Sequence, residues 1–242
     1  MKKKKKKMAT AESPPPPPTT STPASTTEPP LEERKSEGAR RDFEGTWILS
    51  IPMHELEEKF AKWVSANVNP EHLQSEIPGM CKGGIVTDQS ASVLLGIPRQ
   101  WSTAQEDCLG SLVETFTVKF GPLSVFRFPN GEPETETVRD AHGVLHSYDV
   151  MHVPILNASR MDTLQKIAGR IAVTASESPV LWHHKIGYRK HLTSFFVQSK
   201  FRHVYEGKRI IDEEFTLPVD RVVLKAFRNK KFLPRTIMLR NT

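Results

Sequence analysis

Nine histidines, two cysteines and 28 carboxylates are the side chains here that could move protons or hold a metal. His142, His146 and His152 surround Asp149, and His183 and His184 stand together with His191 downstream. None of these has the spacing of a zinc site, and neither Cys81 nor Cys108 has a Cys-x-x-Cys partner. Adjacent histidines on a strand point to opposite faces, so His183 and His184 do not readily share one ion. They read as surface or half-buried imidazoles, and no metal or cofactor is expected. Nucleophilic chemistry has no better signal. There is no Gly-x-Ser-x-Gly elbow, and Gly83-Gly84 is a turn rather than a phosphate loop, because no Gly-Lys-Ser/Thr follows. With no catalytic residue to assign, the chain reads as non-enzymatic.

Charge is more informative. The net +6 of the 242 residues hides a segregation: residues 1–41 carry ten Lys or Arg against five Glu, residues 42–180 ten against eighteen acids, and residues 181–242 fourteen against five. Lys2, Lys3, Lys4, Lys5, Lys6 and Lys7 form an unbroken run. In the last third, Lys185, Arg189 and Lys190 interleave with Tyr188 and His191, Arg202 follows Phe195, Phe196 and Phe201, and Lys225, Arg228, Lys230 and Lys231 surround Phe227 and Phe232. Cations beside aromatics suit nucleic-acid backbones with base stacking, or the headgroups of an anionic membrane. The same pattern is also produced by core aromatics with lysines at a sheet edge. The lysine run suits lipid, nucleic acid or nuclear import. Basic ends around an acidic middle favour self-association.

These groups must be positioned by ordered elements, and residues 1–41 offer none. After the lysines come Pro14, Pro15, Pro16, Pro17 and Pro18, a stiff proline-rich motif, and then Thr, Ser and Pro to Pro30. That stretch lacks the apolar residues to offset its ordering entropy, so a disordered tail is expected, followed by one domain over 42–242. No apolar run is long enough to span a bilayer or serve as a signal peptide, and the cysteines read as reduced thiols.

Thr46 to Ile51 predicts a strand stopped by Pro52. Leu56, Phe60 and Val64 then predict an amphipathic helix from Met53 to Val68. Strands are expected at Ile85–Thr87, Ser92–Ile97, Leu112–Phe120, Ser124–Phe128, Val144–Pro154, Gly169–Thr174, His191–Tyr205 and Arg221–Phe227. Met161–Ala168 reads as a short helix or turn, and Glu132–Asp140 as an exposed loop. The fold class is α+β: a single sheet-dominated domain with an early amphipathic helix behind a disordered N-terminal tail.

Three features carry a resemblance to the rhabdovirus matrix proteins: Lys2–Lys7 followed by Pro14–Pro18, the strand Trp47–Ile51 passing into the Trp63-bearing helix, and the stretch Gly169 to His183 with its Pro179-Val-Leu-Trp182. The resemblance implies a virion structural protein that bridges the nucleocapsid or its RNA to an anionic membrane surface and assembles with itself. It further implies host cytoplasm, membranes or nucleus as the setting, with host import or budding factors as partners. The tail has no Tyr and so no Pro-Pro-x-Tyr budding motif. The alternatives are an RNA-packaging capsid protein with a basic arm, or a cellular RNA-binding or ligand-binding module. Gly45-Thr46-Trp47 is similar to the opening of lipocalin-like barrels, although Trp47 fits an ordinary core position.

Overall fold

The computed structural model describes residues 45–77, 81–140, 142–174, 190–227 and 232–241. The chain divides into two units, Met1–Gly38 and Ala39–Thr242, and every described residue belongs to the second. That unit is a sheet-dominated α+β fold.

Strand β1 (Trp47–Pro52) lies where its β-branched and aromatic residues place it, and alternates deep burial of Trp47, Leu49 and Ile51 with a second face. A 3-10 turn leads into helix α1 (Glu57–Asn67), whose first-turn Glu57 and Glu58 face the positive end of the helix dipole. Leu56, Phe60 and Val64 form its buried stripe, as their spacing of four requires.

After the short β2 (Glu76–Ile77) and β3 (Cys81–Lys82), β4 (Ser90–Ile97) completes a sheet in the order β12-β11-β1-β4, with β11 at Arg221–Ala226 and β12 at Arg235–Met238. A second sheet is built on β8 (Leu145–Pro154). Strands β6 (Ser124–Val125) and β7 (Glu136–Arg139) pair with β8, as does β9 (His191–Gln198). A two-stranded sheet joins β5 (Phe116–Lys119) to β10 (Thr216–Val219). The remaining α-helices among the described residues are α2 (Thr103–Leu112), α3 (Ser159–Thr174) and the single turn α4 (Arg202–Tyr205). One hydrophobic cluster takes residues from both large sheets and from α1, α2 and α3.

Several expected elements differ. Gly169–Thr174 is not a strand but the end of α3, because Met161, Leu164, Ala168, Ile171 and Ala172 continue one 3.6-residue stripe into the core. Leu112–Phe120 is divided: Leu112 closes α2 and is exposed, and only Phe116 and Val118 alternate inward along β5. Helix α2 itself escaped notice, although Ser102 and Gln105 form a capping box at its start. The acidic Glu132–Asp140 stretch contains β7, paired to β8. His191–Tyr205 is a strand only to Gln198 and then turns helical. Ile85–Thr87 lies along the edge of β9, with Ile85 opposite Phe195. Gly84, which starts that run, has φ +75°, and a Cβ there would sit 2.8 Å from the carbonyl oxygen of Gln74, so the position needs glycine.

Candidate functional site

Alternation decides which side chains leave the core. In β8 and β9, Met151, Val153, Leu192, Phe195 and Val197 point into the large cluster, while Tyr148, Val150 and Phe196 form a smaller one on the opposite face. A bulge in β9 makes Ser194 the extra residue, so that Met151 faces Phe195, His152 faces Thr193 and Pro154 faces His191. Thr193 and His191 thereby stand on the face away from the core, next to His152. Phe126, just beyond β6, packs against the same smaller cluster.

The outcome is a three-ring cluster. Phe126 lies stacked on His152 with ring centroids 4.2 Å apart and an interplanar angle of 17°. It meets His191 edge-on at 4.7 Å and 83°. The two imidazoles are 5.2 Å apart and inclined by 66°. His152 is 2% exposed, whereas His191 and Thr193 are half-buried. Beside β9 runs β4, and since Ala91 and Val93 share the large core with Leu192 and Val197, the opposite faces of the two strands turn the same way. On that face β4 carries Ser90 and Ser92, both half-buried. Two imidazoles and three hydroxyls are thus brought to one side of the fold. A neutral imidazole accepts a proton and an imidazolium gives one, so a pair of rings with one protonated and one neutral can take a proton from one atom and give one to another.

Other charged groups are committed elsewhere. Asp149 is fully buried and accepts hydrogen bonds from Thr135 Oγ1 at 2.7 Å and Arg202 Nη1 at 3.3 Å. His146 pairs with Asp140 at 2.9 Å, so the histidines grouped around Asp149 in sequence separate in space. Among the described residues, no three of His, Cys, Asp and Glu are placed to hold a metal ion. A concavity of about 230 Å³ lies between the end of α2 and the start of α3, lined by Leu112, Val113, Glu114, Phe116, Arg160 and Thr163. Its Glu114 is paired with Arg160 and Arg240.

Of the basic residues expected to bind polyanions, Lys190 is described. It is 6% exposed, and its Nζ donates to Gln165 Oε1 at 2.6 Å and lies 3.1 Å from Asp162 Oδ1, so its charge is engaged by α3. Lys2, Lys3, Lys4, Lys5, Lys6, Lys7, Lys185, Arg189, Arg228, Lys230 and Lys231 lie outside the described residues, as do Pro14, Pro15, Pro16, Pro17 and Pro18. Lys225 is bonded to Asp88 at 3.1 Å. Sequence reasoning missed the His152–His191 pair. The available signal was alternation, which puts His191 and Thr193 on one strand face; the pairing of β8 with β9 was not readable from residue types.

No family model and no curated protein matches the chain. Solved structures do resemble it. One is a phosphoesterase, 13% identical with a TM-score of 0.42, the match covering 81% of this chain and 96% of that one. Another is Usb1 of Kluyveromyces marxianus, 11% identical with a TM-score of 0.44, covering 81% and 99%. A third is LigT of E. coli complexed with ATP, 13% identical with a TM-score of 0.39, covering 81% and 95%. None of these is a rhabdovirus matrix protein, and that resemblance is withdrawn together with the virion-structural and non-enzymatic reading drawn with it. The RNA-packaging capsid protein, the RNA-binding module and the lipocalin-like module gain no support from them. Of the three features behind that resemblance, the tail lies outside the described residues, the strand Trp47–Ile51 does pass into the Trp63-bearing helix, and the Gly169–His183 stretch begins helical rather than as a strand.

Proposed function

We propose that this chain is a phosphoesterase that cleaves a phosphodiester in a nucleotide or nucleic acid, with His152 and His191 as its acid/base pair. The carrying observation is the 5.2 Å juxtaposition of the two imidazoles, held by Phe126 and flanked by Thr193. Imidazole is the side chain best matched to proton transfer near neutral pH. In the proposed step one imidazole removes the proton of an attacking water as its oxygen bonds to phosphorus. The other protonates the departing ester oxygen as that P–O bond breaks, leaving a phosphomonoester and an alcohol. His191, the more exposed ring, meets the substrate, and the hydroxyls of Thr193, Ser90 and Ser92 are positioned as hydrogen-bond donors to the phosphoryl oxygens. On this reading the run Lys2–Lys7 supplies salt-sensitive attraction to a polyanionic substrate. The names of the similar structures, a phosphoesterase and a protein complexed with ATP, agree in class with this chemistry.

The test is hydrolysis of bis(p-nitrophenyl) phosphate and of a diribonucleotide by the full chain and by His191→Ala. Turnover by the wild type that falls at least 100-fold in the variant supports the proposal; equal rates in both sink it.

A further inference from the structure

Residues 84–89 link the edge of β9 to the sheet that holds β4. At their start they follow the edge of β9: Phe196 N–H donates to the Gly84 carbonyl at 2.8 Å, and Val86 N–H donates to the Ser194 carbonyl at 3.0 Å. At their end Gln89 is anchored to the other sheet, its carbonyl accepting Met53 N–H at 2.9 Å just before Ser90 opens β4. The chain therefore passes from one sheet to the other within residues 87–89.

One side chain spans that crossing. Gln89 is 1% exposed, and its Nε2 donates to the Val86 carbonyl at 2.8 Å. A residue whose backbone is held by β1's end of the first sheet is thereby bonded to a residue held by the β9 bulge of the second. Ser194, whose carbonyl receives Val86, adjoins Thr193 and stands three residues from His191. The other amide atom, Gln89 Oε1, is buried and has no hydrogen-bond partner among the described residues. An apolar side chain of the same length would remove that unsatisfied acceptor but also take the donor from the Val86 carbonyl, so the amide brings little net stability.

We infer that Gln89 is a positioning residue that ties the two sheets together and so fixes the separation between Ser90 and Ser92 on β4 and Thr193 and His191 on β9. Its effect on catalysis rests on the phosphoesterase reading given above; the tie itself does not. Gln89→Met keeps the length and apolar bulk and removes the donor.

The experiment compares the full chain with Gln89→Met by amide hydrogen exchange, thermal melting, and kcat and KM on bis(p-nitrophenyl) phosphate. Expected are a melting temperature close to wild type, at least tenfold faster exchange at Val86, unchanged exchange at Met151, and a kcat lowered at least tenfold with KM within twofold. Unchanged exchange at Val86 overturns the tie. Unchanged kcat alongside faster exchange overturns the positioning role. If the wild type itself shows no turnover, the phosphoesterase reading falls, and exchange at Val86 alone decides for or against the tie.

Discussion

The imidazoles of His152 and His191 come from neighbouring antiparallel strands, offset by the β9 bulge, and the Phe126 ring lies flat on one and edge-on to the other. Offset and edge-on contacts of this kind contribute beyond area burial. Phe126→Ala should destabilise the chain by about 2 kcal/mol, less than for a fully buried aromatic because the ring is half-buried. Phe126→Leu should recover most of that stability in a denaturant titration without restoring the ring geometry, so its kcat should remain below wild type.

Lys190 offers a different test. Its ammonium is inside the fold, bonded to Gln165 and facing Asp162, which is half exposed. Truncating the buried stem leaves an empty space inside the fold, while the half-exposed Asp162 left behind is solvated, and an apolar replacement of similar shape refills that space. Lys190→Ala should cost about 2 kcal/mol and Lys190→Met less than about 1 kcal/mol, read from urea midpoints.

Glu106 is 7% exposed, and burial holds its carboxyl above the ordinary glutamate value of 4.5, with Arg235 at 2.6 Å opposing the shift and Asp107 reinforcing it. The folded chain therefore keeps this proton to higher pH than the unfolded chain. This site's stability contribution is fully present below 4.5 and declines as pH rises through the raised folded value. Glu106→Gln should flatten that decline, as measured by melting temperature across the acidic range.

Asp140 shifts the opposite way. The hydrogen bond from His146 and those from the backbone N–H groups of Val144 and His142 hold its carboxyl below the ordinary aspartate value of 3.8. Its contribution is present above 3.8 and is lost as pH falls through the lowered value. Asp140→Asn keeps an acceptor for the two backbone groups and removes the charge facing His146. Asp140→Ala should therefore speed amide exchange at Val144 more than Asp140→Asn does.

Much of the fold was legible because local patterns agreed with it. Thr46–Ile51, Ser92–Ile97 and Arg221–Phe227 have β-type residues between clear stops, and Leu56, Phe60 and Val64 mark a helix face. The errors came where residue type and period conflicted. Ile171, Ala172 and Val173 look like strand but extend the stripe of α3, and the acidic residues of β7 look like loop but pair with β8. The site was less legible still. His152 and His191 are 39 positions apart, and the Gly169 stretch between them was read as a strand. Only the β8–β9 register and its bulge bring the two rings together. Basic and aromatic residues at the C-terminal end drew attention to charge, while Lys190 and Arg202 neutralise buried or partly buried acids.

The acid/base pair is tested most directly by the pH dependence of kcat/KM for bis(p-nitrophenyl) phosphate, in the wild type and in His152→Ala and His191→Ala. Two imidazoles sharing the proton transfers give a bell-shaped profile, and each substitution should remove one limb while lowering the maximum at least 100-fold. A wild-type profile flat between pH 5 and 9, or variants that keep both limbs, would contradict the pairing of His152 with His191 in catalysis.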